Sequence, residues 1–304
     1  MLVVEPQKVL FVEGLDRSHL ESLAQAAKGG APVVGIGAGT VMETAKYVAR
    51  ATGAPLVQVP TTVSNNACFT RAAWTIVEGK RTIARDMPIP RRIVLDPDLL
   101  AAAPTRLNRA GIAEILCSHT ALHDWRLGHE VGRDVDWDDG LERLARAELR
   151  ALDATAPLVG ANRQEGFRAI FAASWRFAPG FSSHPKARFN AGSEHLFAWG
   201  LEALAGRKVL HGEAVGLGVL LMSFVQNNRP DWPARILKTA NVAFMPEDIG
   251  VTWRDVKEVF DRLHISASAY LWYTVIDAKA GPERVNWPER GNFAAAKNFV
   301  MSLK

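Results

Sequence analysis

Two histidines near the middle of the chain are the residues best suited to hold a metal ion. His195 lies in Gly192-Ser-Glu-His195, and His211 opens His211-Gly-Glu, 211 − 195 = 16 residues further on. Imidazole nitrogens suit Zn²⁺, Fe²⁺ and Ni²⁺, and two of them with one carboxylate leave coordination positions open for a substrate. A single histidine in an apolar run is more often a packed side chain. Here each one precedes a run of helical character, which predicts two imidazoles at the starts of neighbouring helices and half of a catalytic metal site.

Glu114 is the candidate for the third ligand. It lies in Ala110-Gly-Ile-Ala-Glu114-Ile-Leu, a carboxylate flanked by apolar residues. An unpaired buried carboxylate is costly, and a bound metal would remove that cost. The alternative is a partly exposed helix glutamate paired with Arg106 or Arg109, and from the residues alone this alternative is favoured.

Two stretches of the first third have the composition of ligand-binding loops. Gly35-Ile-Gly37-Ala-Gly39-Thr40 lies between a strand-like and a helix-like run. Such a turn directs backbone N–H groups and the positive end of a helix at a phosphate, although its spacing departs from G-x-G-x-x-G and a tight turn without a ligand is an equal alternative. Pro60-Thr-Thr-Val-Ser-Asn-Asn66 follows another strand-like run, where open α/β sheets bind ligands. Its alternative is a simple turn.

Alternating strands and helices are predicted to carry these loops. The predicted elements are strands at 9–14, 31–37, 55–60 and 91–97, helices at 16–28 and 41–51, and a hairpin formed by 71–78 and 80–87. This order indicates a parallel α/β layer with a small antiparallel addition.

From Asp98 onward the composition becomes helical, and strand alternation is absent. Pro104 and Thr105 are predicted to open one long helix over 106–128. We therefore expect an α/β domain over 1–103 and an all-helical domain over 104–304.

The composition is that of an ordinary globular protein. Of 304 residues, 48% are hydrophobic and 22% charged, which is enough to bury a core in each of two domains, and the formal net charge is +4. The sequence contains no run of five or more like charges, so nucleic-acid binding has little support. Cys68 and Cys117 are too few for a disulfide framework and suit a reducing cytoplasm. Neither a signal peptide nor a membrane span is predicted.

Five motifs in order carry a resemblance to a known family. They read VVGIGAGTVMETAK, VPTTVSNN, AGIAEILCSHTALHDW, GSEHLF and LHGEAVGLG, and they extend the similarity from about Val9 to about Ala240. In this order and spacing they resemble the iron-containing (group III) alcohol dehydrogenase and dehydroquinate synthase superfamily, nearest to its glycerol-1-phosphate dehydrogenase branch. The resemblance implies an N-terminal dinucleotide-binding domain, a helical C-terminal domain, a divalent metal (Zn, Fe or Ni), NAD or NADP, and a homo-oligomer.

The resemblance also implies roles for single residues. Glu114, His195 and His211 would be the metal ligands. The cofactor pyrophosphate would lie over Gly37, Gly39 and Thr40, and the nicotinamide would be flanked by Thr61, Thr62 and Ser64.

Three departures from the family pattern are visible. The first ligand is Glu114, where dehydrogenases of this branch usually have Asp and dehydroquinate synthases have Glu. The Asp that touches substrate in the family is replaced by Asn66, which can bond a hydroxyl but carries no charge. The family also has a further strand and helix ahead of the position of Val9, so the parallel sheet is expected to be shortened.

The implied activity is metal-dependent, NAD(P)-linked oxidation of a polyol or a polyol phosphate. The metal would act as a Lewis acid on the substrate hydroxyl, and hydride would pass to the nicotinamide. Asn66 would contact the substrate, and His119, His123 and His184 are candidates for a proton relay. Lys186 and Arg188 are candidates for binding a substrate phosphate, against a solvated loop as the alternative.

Two other functions remain open from the sequence. A cyclase or lyase of the dehydroquinate synthase type would use the cofactor without net redox change, and Glu114 together with the run Arg188-Phe-Asn190 favours it. A relative that has lost its cofactor and binds a partner is suggested by the shortened first domain and by Asn66.

Overall fold

The computed structural model describes residues 6–304 except residues 135, 185, 206–208 and 281–286. The chain forms two compact units: unit 1 consists of residues up to 62 together with 66–100, and unit 2 consists of 63–65 and 101–304. Unit 1 is α/β and unit 2 is helical, so the predicted fold class is confirmed. The assignment of cofactor binding to 1–103 and of metal and substrate binding to 104–304 stays a prediction.

Unit 1 contains five described strands and two long helices. The strands are β1 (Val33–Gly37), β2 (Leu56–Pro60), β3 (Ala73–Val77), β4 (Lys80–Ala84) and β5 (Arg92–Ile93), and the helices are α1 (Arg17–Ala26) and α2 (Gly39–Thr52). The parallel sheet has the order β1-β2-β5, and β3 pairs with β4 as the predicted antiparallel hairpin.

Close contact between α2 and the sheet depends on a glycine. A Cβ added at Gly35 would lie 2.6 Å from Cβ of Ala45, so only a residue without a side chain lets α2 pack this closely on β1. The side chain of Gln58 on β2 is also buried, and its amide donates to the carbonyl of Met42 at 2.9 Å. These contacts fix the start of α2 relative to the ends of β1 and β2.

The strand predicted at 9–14 is wrong. Residues 9–15 have no strand pairing, and the side chains of Val9 and Phe11 are 62% and 80% exposed. Leu10 and Val12 instead pack on a small cluster that α1 and α2 contribute. The apolar residues do alternate along this segment. The segment is irregular, and its apolar side packs against the helices.

Two further predicted elements differ in extent. The strand predicted at 91–97 pairs only at Arg92 and Ile93. The single helix predicted at 106–128 is divided into Thr105–Ala110, Ala113–Leu116 and Ser118–Glu130. One reason is Gly111, where an added Cβ would lie 1.8 Å from the carbonyl oxygen of Val63. Backbone packs directly on backbone there.

The remaining helices follow along the chain, and all except α3, which crosses the boundary at residue 100, lie in unit 2. They are α3 (Pro97–Ala102), α4 (Thr105–Ala110), α5 (Ala113–Leu116), α6 (Ser118–Glu130), α7 (Asp139–Gly160), α8 (Gln164–Ser183), α9 (Ser193–Ala205), α10 (His211–Val225), α11 (Asp231–Thr239), α12 (Trp253–Asp261), α13 (Leu263–Tyr270), α14 (Val275–Ala280), α15 (Trp287–Arg290) and α16 (Phe293–Met301).

Helix α10 lies at the centre of unit 2. Every residue from Gly212 to Ser223 is buried, as expected for a helix that is apolar around its whole circumference. Across the described ranges, no helix has both the length and the apolar character needed to cross a bilayer.

Candidate functional site

The three side chains predicted to bind a metal lie together in unit 2. Glu114 is on α5, His195 is on the first turn of α9, and His211 is the first residue of α10. Their candidate ligand atoms all lie within 4.8 Å of one another. Glu114 and His195 are 3% and 5% exposed, whereas the side chain of His211 keeps 23% of its surface accessible. The cluster is therefore accessible to solvent at His211.

Glycines bring these three segments into contact. A Cβ at Gly212 would lie 2.3 Å from the carbonyl oxygen of Ala110, and a Cβ at Gly218 would lie 2.6 Å from the carbonyl oxygen of Glu194. Since neither position tolerates a side chain without movement of backbone, α10 can approach both α9 and the segment before α5. This close packing sets the short distances between the ligand atoms.

Each imidazole has a glutamate on its Nδ1 atom. Nδ1 of His195 lies 2.9 Å from Oε1 of Glu194, and Nδ1 of His211 lies 2.6 Å from Oε1 of Glu202. On the other side of its ring, Nε2 of His211 lies 3.3 Å from Oε1 of Glu114. Nε2 is therefore the nitrogen of each ring that remains available as a metal ligand.

Glu114 gives a direct test of whether a cation fits. Its Oε1 atom is fully buried and takes no hydrogen bond from the described residues. Glu194 is also fully buried, and Glu202 is nearly so, at 9% side-chain exposure. Gathering three carboxylates around two imidazoles in the interior is unfavourable without a compensating positive charge. A divalent cation among Glu114, His195 and His211 provides that charge, and the one carboxylate and two imidazoles are a ligand set that leaves room for substrate.

Cys117 approaches the same histidine from the interior. Its Sγ belongs to a second group of close ligand atoms with Glu194 and His195, and all three residues are buried. The thiol already lies 3.1 Å from the carbonyl oxygens of Glu114 and Asn190, and burial raises its pKa well above the ordinary value. Since thiolate is the form that binds metal, this geometry favours a packing role for Cys117.

Some contacts that support the cluster could not be predicted from the sequence. The buried carboxylate of Asp124 accepts hydrogen bonds from Ser193 N at 2.7 Å and Val275 N at 2.8 Å, which anchors the start of α9, and burial raises its pKa to about 6. The amide of Asn190 donates to the carbonyl of Glu114 at 2.8 Å. Nothing in local spacing marks such contacts, because they join positions about 70 residues or more apart.

The residues predicted to relay protons lie in other surroundings. Nε2 of His119 is 2.7 Å from the carbonyl oxygen of Asn228, and its ring packs on Trp232. Burial lowers the pKa of His119 to about 4 and also lowers that of His123. His184 is partly exposed, with Nδ1 2.9 Å from Oγ of Ser183. The structure does not group any of the three with the metal-ligand atoms.

The two residues predicted to bind phosphate differ in exposure. Lys186 is exposed. Arg188 is 1% exposed, pairs with Asp134 at 3.2 Å, and lies over the ring of Trp272 at 4.9 Å. Because binding a phosphate would require giving up these contacts, the geometry favours a structural role for Arg188.

The glycine-rich turn in unit 1 ends β1 and opens α2, as predicted. A Cβ at Gly37, whose φ is +158°, would lie 2.5 Å from Cγ2 of Val41. Gly39 and Thr40 are the first two residues of α2, where helical N–H groups lack a partner within the helix, and Thr40 is exposed. This arrangement has the features of a phosphate-binding helix start.

The other predicted cofactor residues lie just after β2. Thr61 donates its N–H to the carbonyl of Gly37 at 2.9 Å. Thr62 and Ser64 are buried, and Asn66 is half-buried and precedes a 3-10 turn, Ala67–Phe69. Thr61, Thr62 and Asn66 belong to unit 1, and Ser64 belongs to unit 2.

The sequence is similar to members of a known protein family. Residues 4–104 match the iron-containing alcohol dehydrogenase family. Over 265 residues the chain is 29% identical to a glycerol-1-phosphate dehydrogenase [NAD(P)+] from Aeropyrum pernix, covering 87% of this chain and 72% of that one. A protein of the same name from Sulfolobus acidocaldarius is 30% identical over 246 residues, covering 80% and 70%.

A solved structure shares the fold. The crystal structure of a probable glycerol dehydrogenase from Sinorhizobium meliloti 1021 superposes with a TM-score of 0.73 at 23% identity, covering 96% of this chain and 84% of that one. The chain therefore belongs to the iron-containing alcohol dehydrogenase family. Within the family its sequence is similar to proteins named glycerol-1-phosphate dehydrogenase, so the predicted superfamily and the predicted dehydrogenase class are confirmed. The chain spans 58% to 72% of the length of eight such relatives.

Proposed function

We propose that the chain is a metal-dependent, NAD(P)-linked oxidoreductase that acts on a polyol phosphate of the glycerol-1-phosphate class. The observation that carries the proposal is the cluster of Glu114, His195 and His211, with ligand atoms within 4.8 Å of one another and a buried Glu114 oxygen that takes no hydrogen bond from the described residues. The names of the relatives support the substrate class and the cofactor.

Each part of the site has a role in this proposal. Glu114, His195 and His211 hold the divalent ion, which when bound supplies Lewis-acid activation of an alcohol oxygen. The open side of His211, with 23% of its side chain exposed, admits the substrate hydroxyl. Gly37, Gly39 and Thr40 hold the cofactor phosphates, and Thr61, Thr62 and Ser64 flank the nicotinamide.

Zn²⁺, Fe²⁺ and Ni²⁺ all suit one carboxylate and two imidazoles, so the proposed ion is one of these three. Either NAD or NADP is the cofactor. A cytoplasmic homo-oligomer remains part of the proposal.

The structure leaves fewer candidates for substrate contacts than the sequence does. Asn66 hydrogen-bonds a substrate hydroxyl, and exposed Lys186 is the better of the two candidates for the phosphate. His119 and His184 stay candidates for proton transfer, although the low pKa of His119 and its contact with Asn228 favour a packing role for it. A cyclase of the dehydroquinate synthase type gains no support from the relatives, which are named dehydrogenases.

Metal analysis combined with cofactor titration tests the proposal. Purified protein is expected to carry about one divalent metal per chain and to bind NAD⁺ or NADP⁺ in a calorimetric titration, and the Glu114→Ala, His195→Ala double variant is expected to lose the metal. The matched control is Glu148→Gln, which alters a buried glutamate paired with Arg176 between α7 and α8. Reduced cofactor should then accumulate with glycerol 1-phosphate and NAD(P)⁺.

Different failures of this experiment have different meanings. A wild type that binds metal but neither nicotinamide contradicts the dehydrogenase proposal and favours the relative without a cofactor. A wild type that consumes substrate without net formation of reduced cofactor favours the cyclase. Absence of metal from wild type after loading with Zn²⁺, Fe²⁺ and Ni²⁺ in turn contradicts the proposed centre.

A further inference from the structure

Glu194 and Glu202 each lie against the outer nitrogen of one candidate ligand. The distances to Nδ1 of His195 and His211 are 2.9 and 2.6 Å, both within hydrogen-bond range. An ionised carboxylate only accepts hydrogen bonds, so each glutamate favours the proton of a neutral imidazole on Nδ1. On His211 the Nδ1 contact is the hydrogen-bonded one, because Oε1 of Glu114 is further away, 3.3 Å from Nε2, and takes no hydrogen bond from the described residues. Nε2 of each ring is then unprotonated and available to a cation.

We propose that Glu194 and Glu202 are positioning residues that fix the Nδ1–H tautomer and the ring orientation of His195 and His211 before a metal binds. The inference rests on the proposed metal centre. It adds that both nitrogen ligands have the orientation and tautomer for metal binding before the metal arrives. Partners of this kind orient ligating histidines and raise their basicity.

The contacts of Glu194 hold its carboxylate in one place. Besides the imidazole, Oε1 accepts from the backbone N–H of Gly192 at 2.7 Å, and Oε2 accepts from the hydroxyl of Thr120 at 2.8 Å. Since the residue is fully buried and both oxygens are bonded, rotation would leave donors without partners. Glu194 therefore fixes the orientation of the His195 ring as part of the packed interior.

Glu202 acts on the other histidine from the same helix. It is 202 − 195 = 7 residues after His195 on α9, so the two residues lie on one helix face, two turns apart. From there it reaches His211 at the start of α10, whose Nε2 is directed at Glu114. One helix thus provides a metal ligand, its own orienting carboxylate and the orienting carboxylate of the second ligand.

The tautomers of the metal-free protein are the most direct test. Long-range ¹H–¹⁵N NMR of histidine side chains distinguishes a protonated from an unprotonated ring nitrogen. Wild type is expected to show Nδ1–H for both His195 and His211. In Glu202→Gln the amide can donate to Nδ1, so His211 is expected to shift toward the Nε2–H form.

Metal affinity provides the second readout. Titration with Zn²⁺ or Co²⁺ is expected to show binding weakened about 10- to 100-fold in Glu202→Gln. Glu194→Gln is expected to do the same through His195, and Glu202→Gln carries the test if that more deeply buried variant fails to fold. Glu148→Gln is the matched control, because it removes a buried charge elsewhere in unit 2 and should leave both tautomers and affinity unchanged.

Two results would overturn the inference: an Nε2–H tautomer for either histidine in the wild type, or wild-type metal affinity in Glu202→Gln. The tautomer measurement needs no cofactor, substrate or turnover. An inactive wild type would thus contradict the proposed function while leaving this inference open to support from the tautomers.

Discussion

Arg106 donates hydrogen bonds to both carboxylate oxygens of Glu213, from Nε at 2.6 Å and from Nη2 at 2.7 Å. Arg106 lies on α4, in the segment that leads to Glu114, and Glu213 lies two residues after His211 on α10. The pair therefore joins the segment that carries the carboxylate ligand to the helix that carries the second imidazole. Nη2 also donates to the carbonyl of Asp248 at 2.8 Å, which fixes the guanidinium.

The first prediction concerns Arg106→Leu. Glu213 is 1% exposed, so loss of its partner leaves a buried carboxylate without its charge-assisted bonds. We expect a loss of about 1 to 3 kcal/mol in the free energy of unfolding and weaker metal binding, although residue 106 is not a ligand. Denaturant titration and metal titration measure the two effects.

Arg163→Leu is the control for that substitution. The pair of Arg163 with Glu165 is exposed on both sides, at 63% and 58%, so its loss should cost less than about 1 kcal/mol. Equal effects of the two substitutions would contradict the role assigned to Arg106.

The second prediction concerns the close approach at Gly212. In Gly212→Ala the new Cβ would lie 2.3 Å from the carbonyl oxygen of Ala110, so α10 has to move away from the segment before Glu114. Overpacking of this kind costs about 1 to 3 kcal/mol. We expect metal affinity to fall together with stability.

Gly216→Ala on the same helix is the matched control. Its new Cβ would meet the end of the Leu237 side chain at 3.3 Å and the Cβ of Ala113 at 4.0 Å, an ordinary van der Waals distance, and alanine is the better helix former. Metal affinity and stability should stay close to wild type. If Gly212→Ala behaves like Gly216→Ala, tight packing at residue 212 does not position His211.

Much of the candidate site could be predicted because its residues lie in motifs with a recognisable order. His195, His211 and Glu114 are each marked by neighbouring glycines and apolar runs, and the structure brings all three together. Glu202 could not be assigned, because its contact with His211 depends on how α9 and α10 pack. The sequence indicates Arg106 only as a possible partner of Glu114, whereas it pairs with Glu213.

The fold was predictable where periodicity and turn chemistry agree. The hairpin around Gly79 and the α2 helix after Gly37 both have turn residues next to a clear pattern. The segment 9–14 has the pattern of a strand, but alternation cannot distinguish pairing in a sheet from packing on helices. The close approach of Val63 to Gly111, where the helix divides, also has no local signal, because it joins positions distant in the sequence.

The third prediction tests the phosphate-binding turn. In Gly37→Ala the new Cβ would lie 2.5 Å from Val41 at a φ that alanine rarely adopts, so the turn and the start of α2 are displaced. We expect NAD(P)⁺ affinity to fall at least about tenfold, since cofactor phosphates need these N–H groups in place. The metal content should not change.

Gly30→Ala is the control for backbone strain alone, at a glycine outside the proposed cofactor-binding turn. Gly30 also has a positive φ, +79°, but among the described residues a Cβ there has no neighbour within 4 Å. This control should lose about 1 kcal/mol of stability and keep its cofactor affinity. Cofactor affinity that is unchanged in Gly37→Ala would contradict the proposed role of the turn.

The last prediction is a pH dependence caused by His119. Burial lowers its folded-state pKa to about 4, below the ordinary histidine value near 6.5. Between these values the unfolded chain binds a proton that the folded chain does not, so the free energy of unfolding falls as pH decreases through this window. Titration of His119 lowers the free energy of unfolding by up to about 3 kcal/mol as the pH approaches the folded-state pKa.

His119→Gln removes the titrating group and keeps an N–H that can donate to the carbonyl of Asn228. Denaturant titrations at intervals from about pH 7.5 to 4.5 should show a smaller acid loss for the variant than for wild type. Because a neutral, hydrogen-bonded imidazole of such low pKa is a poor base near pH 7, turnover there should change little. Parallel loss of stability in both proteins would contradict the assigned pKa. A large fall in turnover would instead restore His119 as a proton-transfer residue.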